Sequence, residues 1–465
     1  MNIEARQRDI TLPEPQLAQI PITANGRSVL EVLSDLKGGL VGLYRDQQFY
    51  EEDYIVRSFL GRKFITVLNT SLIEHILLKN PGNYQRGTLE KTTVQPWAGD
   101  GILASEGKTW KKQRKLSEPW FFRHKIDQFA SPITESALQT AIDLDAAAKS
   151  GESVNLAEFL LGFSRRVIAR SLFSADIEPH FGELREILDQ VQQRMARIGV
   201  LDVLGFGYHL RRWSPGEAQK LNQRLRNIFD PIITERFDGR VRRNDFLQAI
   251  VDTNDAESGK RLSRKQAYDT AISYFLGAPE AVGFSLVWTF YLLSHHPDIQ
   301  ERAAAEAQEF TLADPTIKSL GSLEYCWTIL QEAMRLYPPV HSLTREALGP
   351  DQFGDLKIPK RSLVLFPIYA IHRHSKLWEN PNRFDPDRFS KSRRKQSDHL
   401  KFMAFSAGPR FCIGRSLAEM ETKIAVASLL SRFRFEPDPD RPVRELEARS
   451  TLRPKDGCHV RVSRR

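Results

Sequence analysis

Apolar residues recur every three or four positions through most of the chain between residues 107 and 335. This spacing is that of amphipathic α-helices. It is clearest in four segments: "VNLAEFLLGFSRRVIARSLF", "GELREILDQVQQRMARIG", "EAQKLNQRLRNIFDPIITERF" and residues 263–294. The same spacing predicts a further helix near the C-terminus, in "SLAEMETKIAVASLLSRF".

Two segments instead have the composition of β structure. Residues 53–68, "DYIVRSFLGRKFITVL", hold branched and aromatic residues around an "LGRK" turn and predict a hairpin. Residues 353–373 predict a second β-rich patch, and residues 1–30 an irregular, proline-containing arm. No repeat or interdomain linker interrupts the pattern. We therefore predict one domain over residues 1–465, mainly α with a minor β portion.

Composition and charge narrow the functional class. Of the 465 residues, 41% are hydrophobic and 27% charged, as in a globular protein. The net charge of +9 includes two local basic runs, at 111–115 and 391–395, but no aromatic-interleaved basic platform and no zinc-finger spacing. We therefore expect no nucleic-acid partner. We also see no signal sequence and no membrane-spanning apolar stretch, so we expect a cytoplasmic protein without a transmembrane anchor.

One cysteine has unusual surroundings. Three cysteines are too few and too scattered for a disulfide framework or a zinc site. Cys412 lies in "FMAFSAGPRFCIGR", residues 402–415, between Arg410 and Arg415 and just before a predicted helix. Positive charge and a helix N-terminus lower the pKa of a thiol, so this pattern predicts a reactive or metal-binding thiolate. The alternative is a buried cysteine in a tight turn.

This loop resembles the haem-binding loop of the cytochrome P450 family, whose pattern is Phe-x-x-Gly-x-Arg-x-Cys-x-Gly. Phe405, Gly408, Arg410, Cys412 and Gly414 occupy its five specified positions. The resemblance implies the cytochrome P450 fold and a haem b group whose iron takes the Cys412 thiolate as axial ligand. Such a ligand pushes electron density onto the iron and favours O–O cleavage.

Further segments resemble other motifs of the family. "QEAMRLYPP" and "NRFDPDRF" imply a buried structural cluster of Glu332, Arg335 and Arg388. "WKKQR" and "PPVHSLTR" imply that Trp110, Arg114 and Arg345 contact the haem propionates, which need positive partners.

The sequence departs from the family pattern in "YFLGAPEAVGF". The expected acid is present as Glu280, but Ala281 replaces the threonine whose hydroxyl helps to deliver protons, and Pro279 predicts a kink. Three mechanisms stay open: monooxygenation with water, Glu280 or a substrate hydroxyl replacing threonine; peroxide-driven oxidation; and rearrangement, dehydration or phenol coupling. A non-catalytic haem-binding protein is a further alternative.

By resemblance, the substrate pocket is mainly apolar and suits a medium-sized lipophilic molecule. The predicted lining residues are Trp97, Ile102, Tyr274, Phe275, Ala278, Val340, Leu343 and Leu452, with Leu201, Leu204 and Phe206 from the segment 195–212.

No flavin or iron–sulfur motif is present, so electrons from NADPH or NADH would arrive through a reductase and a separate donor. We expect an acidic ferredoxin or flavodoxin-like protein on a basic face formed by Lys111, Lys112, Lys115, Arg393, Arg394 and Arg410. The sequence thus predicts a monomeric haem-thiolate monooxygenase that inserts one oxygen atom from O2.

Overall fold

The computed structural model describes residues 17–23, 40–59, 61–174, 176–196, 215–254, 259, 261–313, 315–393 and 399–465. Helices dominate these ranges. They are α1 (Thr70–Glu74), α2 (Thr88–Ala98), α3 (Gly107–Ser117), α4 (Ala130–Ala148), α5 (Leu156–Phe173), α6 (Phe181–Ala196), α7 (Pro215–Phe237), α8 (Phe246–Asp252), α9 (Arg264–Gly277), α10 (Pro279–His295), α11 (Pro297–Glu309), α12 (Glu324–Leu336), α13 (Ile368–Ile371) and α14 (Arg415–Leu430).

The strands form small sheets beside the helices. They are β1 (Tyr54–Phe59), β2 (Arg62–Val67), β3 (Tyr84–Arg86), β4 (Val154–Asn155), β5 (Leu343–Ala347), β6 (Asp351–Phe353), β7 (Leu356–Ile358), β8 (Leu363–Phe366), β9 (Phe433–Pro437), β10 (Leu446–Ala448), β11 (Leu452–Pro454) and β12 (His459–Arg464). The described strands pair in the orders β1-β2-β8-β5-β3 and β4-β12-β9, with two hairpins, β6-β7 and β10-β11. We call β10-β11 the C-terminal hairpin.

The predicted hairpin at 53–68 is confirmed. β1 and β2 pair antiparallel, and Gly61 takes a φ of +74° in the turn, which glycine adopts without strain. β2 then pairs parallel with β8, which lies in the predicted β-rich patch. The short strands after residue 430 were not predicted. Of the predicted arm at 1–30, residues 17–23 are described and contain no helix, and the rest lies outside the described residues.

The central helices α9 and α10 form one long rod with a break, which we call the distal helix. A capping box starts α9: Ser263 Oγ accepts from the Gln266 N–H (3.2 Å), and Gln266 Oε1 accepts from the Ser263 N–H (2.9 Å). The break falls at Ala278, because Pro279 has no N–H to donate to the Phe275 carbonyl. The predicted interruption is therefore present.

The distal helix is also the most apolar part of the fold. Among the described residues, Arg264–His295 is the one helical stretch long and apolar enough to span a membrane, and 78% of its apolar window is buried inside the protein. Burial of this kind is typical of a core helix. The sequence analysis predicted this stretch as a helix, at residues 263–294, and did not count it as membrane-spanning because polar residues interrupt its apolar run.

The first described segment is fastened to the core by tyrosine hydroxyl groups. The Ala18 N–H donates to Tyr291 Oη (3.0 Å), and Tyr337 Oη donates to the Ala18 carbonyl (2.8 Å). The Ile20 N–H donates to Tyr369 Oη at 3.3 Å. These bonds satisfy buried main-chain groups that strand pairing does not reach.

Candidate functional site

Cys412 lies in a tightly constrained loop, residues 402–414, which we call the cysteine loop. The Cys412 N–H donates to the Phe405 carbonyl, and the Phe411 N–H to the Gly408 carbonyl, each at 3.0 Å. Gly408 has a φ of +73°, and a Cβ there would lie 2.1 Å from the Leu77 carbonyl oxygen. Glycine is therefore required at 408, both for its conformation and for this close approach.

The pKa of the Cys412 thiol differs from the one predicted from the sequence. Burial raises its pKa above the usual value, while the Gly414 N–H and the charges of Arg114 and Arg415 act in the opposite direction. The lowered pKa predicted from Arg410 and Arg415 is therefore wrong for the protein alone, because loss of hydration outweighs the neighbouring charges. The Cys412 side chain nevertheless keeps accessible surface. A thiolate here would be favoured by a metal cation at the sulfur.

A buried ion-pair network supports the chain that leads into the cysteine loop. Arg335 donates to both oxygens of Glu332, Nε to Oε2 at 2.6 Å and Nη2 to Oε1 at 2.7 Å, and both side chains are fully buried. Arg388 Nε donates to Glu332 Oε1 at 3.2 Å. The structure thus brings together the three residues of the predicted cluster.

This network also fixes the main chain. Arg335 donates to the carbonyls of His372, Pro381 and Arg383, and Glu332 Oε1 accepts from the Asp385 N–H. The irregular segment before the cysteine loop is therefore held by side-chain hydrogen bonds where no strand pairing is available.

A second cluster brings three guanidinium groups together near the cysteine loop. Arg410 Nη2 donates to Glu106 Oε2 at 2.5 Å, and Arg86 Nη1 lies 3.4 Å from Glu90 Oε2. Arg345 is buried; among the described residues it makes no carboxylate ion pair, and Nη1 donates to the Thr344 carbonyl. Burial lowers the pKa of Arg410 to about 10, and the charges of Arg86 and Arg345 act in the same direction. Three cations thus face two carboxylates.

Trp110 and Arg114 tie α3 to the cysteine loop. The Arg410 guanidinium lies 4.3 Å from the centre of the Trp110 ring, a cation–π distance. Arg114 Nη1 donates to the Phe411 carbonyl at 2.7 Å. Of the expected propionate contacts, Trp110 and Arg114 thus lie beside the cysteine loop, and Arg345 is buried in the cluster of cations with Arg410.

These residues fit the haem group that the resemblance implies. Within the described part of the chain, Arg410 Nη1 and Arg86 Nε are buried N–H donors without a hydrogen-bond partner, and the cluster around them has more cations than carboxylates. Carboxylates such as the haem propionates would satisfy both the donors and the charge. The accessible Cys412 side chain supplies the one soft ligand that a haem iron takes from this family's loop.

On the distal helix, Glu280 lies in a buried polar cluster. Its Oε2 accepts from Arg453 Nη2 at 2.9 Å and from Thr451 Oγ1 at 3.2 Å. Both partners belong to the C-terminal hairpin or its tip, and sequence analysis did not find them. Ala281 follows, and its carbonyl accepts from the Ser285 hydroxyl at 2.7 Å.

The predicted pocket residues fall into two groups, those that keep solvent-accessible surface and those that are almost fully buried. A side chain that lines an open space keeps some accessible surface. Ala278, Val340 and Leu343 keep such surface, as do Gly277 and Ala281 on the distal helix. These residues remain our candidates for the pocket wall.

The other five pocket candidates within the described residues are almost fully buried. Trp97, Phe275 and Leu452 are at most 1% exposed, and Ile102 and Tyr274 at most 8%. Tyr274 stacks on Phe121 with ring centres 5.3 Å apart, while the Leu452 carbonyl accepts from Trp288 Nε1. Close packing against neighbouring side chains leaves them little accessible surface, and their place in the pocket wall stays a prediction. Leu201, Leu204, Phe206 and Arg394 lie outside the described residues.

Relatives of known name share this architecture. The chain is 30% identical over 377 residues to the cyclooctat-9-en-7-ol 5-monooxygenase of Streptomyces melanosporofaciens, covering 79% of each chain. It is 28% identical over 388 residues to the pentalenene oxygenase of Streptomyces avermitilis, covering 82% of this chain and 83% of that one.

Comparison with solved structures and family models gives the same result. The crystal structure of the cytochrome P450DA heme domain matches with a TM-score of 0.81 at 22% identity, covering 96% of this chain and 97% of that one, which shows the fold. The family model for cytochrome P450 matches residues 42–461. The resemblance read from the sequence is thereby confirmed: this chain belongs to the cytochrome P450 family, and it is an oxidoreductase of the monooxygenase type.

Proposed function

We propose that this chain binds haem b through Cys412 and inserts one oxygen atom from O2 into a lipophilic substrate. One observation carries the proposal. All three cysteines lie in the described residues, and only Cys412, in the family's loop, keeps accessible surface, whereas Cys326 and Cys458 are buried. Haem, when bound, supplies the redox chemistry that activates dioxygen.

The residues around the site have separate tasks in this proposal. Cys412 ligates the iron, and Trp110, Arg114, Arg345 and Arg410 hold the propionates. The reaction consumes one O2, two electrons and two protons for each substrate oxygenated, and releases one water. Glu280 is the titratable group of the distal helix nearest to position 281, and in our proposal it and water pass those protons.

Ala281 supports a second candidate function. Its methyl group can neither donate nor accept a hydrogen bond, and the Ser285 hydroxyl one turn later is already bonded to the Ala281 carbonyl. An enzyme that takes hydrogen peroxide directly would need no such relay. Peroxide-driven oxidation, rearrangement and coupling therefore stay as alternatives to monooxygenation.

For the substrate, we propose a terpenoid of medium size. The relatives named above include bacterial terpene monooxygenases, and the pocket candidates Ala278, Val340 and Leu343 are apolar. Apolar walls with few polar groups suit such a ligand.

For electron supply, we propose an acidic ferredoxin or flavodoxin-like donor that is reduced through NADPH or NADH. Lys111 and Lys115 are exposed on α3, the helix that contacts the cysteine loop. Arg410, by contrast, is mostly buried against Glu106, so it does not belong to this docking face. A monomer in the cytoplasm fits the proposal.

The test uses the purified haem protein and a panel of terpenoids chosen by their effect on the Soret band. Cys412→Ala should lose the thiolate-type spectrum of the carbon monoxide complex, whereas Cys326→Ala should keep it. Turnover with reductase, ferredoxin and NADPH is then compared with turnover on hydrogen peroxide. Well-coupled product formation with NADPH supports monooxygenation. Peroxide-only turnover would move the assignment to the second candidate, and a retained spectrum in Cys412→Ala would overturn the ligand assignment.

A further inference from the structure

The partners of Glu280 come from a distant part of the chain. Arg453 and Thr451 are separated from it by 173 and 171 residues, yet both donate to the same oxygen, Oε2. All three side chains are at most 8% exposed. The carboxylate is thus held on one side by a guanidinium group and a hydroxyl group of the C-terminal hairpin region.

Arg453 has further contacts that fix its own position. Its Nη2 also donates to Gln192 on α6, and its guanidinium lies 4.7 Å from the Phe284 ring centre on α10. Leu452, the next residue, bonds α10 through Trp288 Nε1. Arg453 therefore joins three elements: the hairpin, α6 and the distal helix.

Glu280 and Arg453 form a buried ion pair whose two charges stabilise each other. Burial lowers the pKa of Arg453, and the charge of Glu280 is the largest effect in the opposite direction. Arg165 on α5 and Asp189 on α6 also interact with the pair, while Arg449 and Glu447 do so from the hairpin. A buried charge that loses its partner is strongly disfavoured, so each member of the pair stabilises the other.

We propose that Arg453, together with Thr451, is a positioning residue for Glu280 in proton delivery. The hairpin holds the carboxylate beside position 281 and supplies the hydroxyl that the distal helix lacks at Ala281. The inference rests on the monooxygenase function proposed above. Its new content is that residues of the C-terminal hairpin determine where the Glu280 side chain lies.

The expected failure follows from the stoichiometry. In the productive reaction, substrate, O2, two electrons and two protons give hydroxylated product and water. When protons are delivered wrongly, O2, two electrons and two protons give hydrogen peroxide, and the substrate is unchanged. The fraction of NADPH converted to product therefore reports on Glu280 separately from substrate binding.

The experiment compares variants of the haem-loaded protein with ferredoxin, reductase and a substrate that the wild type oxidises. Arg453→Met should lower product per NADPH at least about threefold, with a matching gain in hydrogen peroxide. Arg453→Lys, which keeps the cation, should recover much of the loss. Thr451→Val keeps the shape of the side chain and should also lower the yield. Lys455→Gln, the matched control, removes an exposed cation directly after the same hairpin and should not.

An infrared measurement distinguishes a change at the Glu280 carboxyl group from a general loss of folded structure. Arg453→Met removes a hydrogen bond to Glu280 Oε2, so the infrared carboxyl band that Glu280→Gln removes should shift in this variant. The double variant Glu280→Gln/Arg453→Met should lack this band. It removes both charges of the pair together, so no buried charge is left unpaired and the variant should still fold. Wild-type coupling in both Arg453→Met and Thr451→Val, or an equal loss in Lys455→Gln, would overturn the inference. An inactive wild type with no thiolate spectrum would instead refute the proposed function.

Discussion

At the scale of single residues, two buried carboxyl groups have opposite surroundings. Glu332 accepts hydrogen bonds from two arginines, whereas Glu421 on α14 accepts one from the Ser164 hydroxyl at 2.9 Å. An ionised carboxylate needs a cation or several donors when it leaves water. Glu332 therefore has cationic partners for its carboxyl group, whereas Glu421 is stable mainly in its neutral form.

Glu332→Gln should lower the free energy of unfolding by about 3–5 kcal/mol, because it leaves two buried guanidinium groups without a carboxylate. Denaturant unfolding of the purified haem protein measures the change. Lys376→Gln is the control: Lys376 and Asp53 form an exposed pair at 3.1 Å, worth at most about 1 kcal/mol. Equal losses in the two variants would contradict the structural role of the buried network.

The buried carboxyl group of Glu421 should make the free energy of unfolding depend on pH. Burial raises its pKa from the ordinary 4.5 to about 8. Between these values the folded protein holds a proton that the unfolded chain has released, so stability falls as pH rises through this window. The loss is at most about 4–5 kcal/mol and is complete above the folded pKa.

The check is denaturant unfolding at a series of pH values from about 5 to 9. Glu421→Gln should lose less stability than the wild type over this range, because the amide does not ionise. Glu74→Gln, at an exposed pair with Lys79, should follow the wild type. A wild-type slope in Glu421→Gln would mean that other groups cause the pH dependence.

The residues that could be found from sequence are those within short motifs. Cys412 and its glycines lie within ten residues, and Glu332 and Arg335 are one helical turn apart. Arg453 had no such signal, because its partner Glu280 is 173 residues away and tertiary folding alone brings them together. The Cys412 pKa was misjudged for a related reason: a motif does not show how much water the folded chain removes from around the thiol.

At the scale of elements, helical periodicity located the long helices, since their apolar faces pack on the core over many turns. The three-residue strands β10 and β11 were missed because their pairing is set by non-local contacts. The break in the distal helix was predictable, because proline removes one specific hydrogen bond. Pro279 stands at the first position of α10, where proline is tolerated.

Pro279→Ala should therefore raise the free energy of unfolding only slightly, by about 1 kcal/mol or less, rather than the ~3 kcal/mol of a proline in a helix interior. The new N–H at 279 can donate to the Phe275 carbonyl and join α9 to α10. Hydrogen exchange would show this amide protected, and denaturant unfolding would give the energy. An unprotected amide at 279 would show that packing, rather than proline, causes the break.

At the scale of the whole molecule, the net charge of +9 affects association with other proteins more than it affects the fold. Lys111 and Lys115 are exposed on α3, while Arg86, Arg345 and Arg410 place further positive charge behind them. A donor of opposite charge would be steered toward this side. Sequence analysis found the basic run but not the burial of Arg410, since burial depends on the folded position of Glu106.

Turnover with an acidic ferredoxin should therefore fall as salt rises from about 50 to 300 mM, through an increase in the donor KM. The variant Lys111→Gln/Lys115→Gln should raise that KM about threefold or more at low salt. Lys149→Gln/Lys455→Gln, with exposed lysines from other elements, is the control. Salt-independent turnover would contradict steering at α3.

The tyrosine bonds to Ala18 and Ile20 have a practical consequence for anyone preparing this enzyme. The family match starts at residue 42, so a gene trimmed to that boundary would omit the segment 17–23. Three phenol groups, of Tyr291, Tyr337 and Tyr369, would then lose main-chain partners in the core. Purification tags and fusion proteins should accordingly be joined upstream of residue 17, and shortened clones should be expected to yield less soluble material.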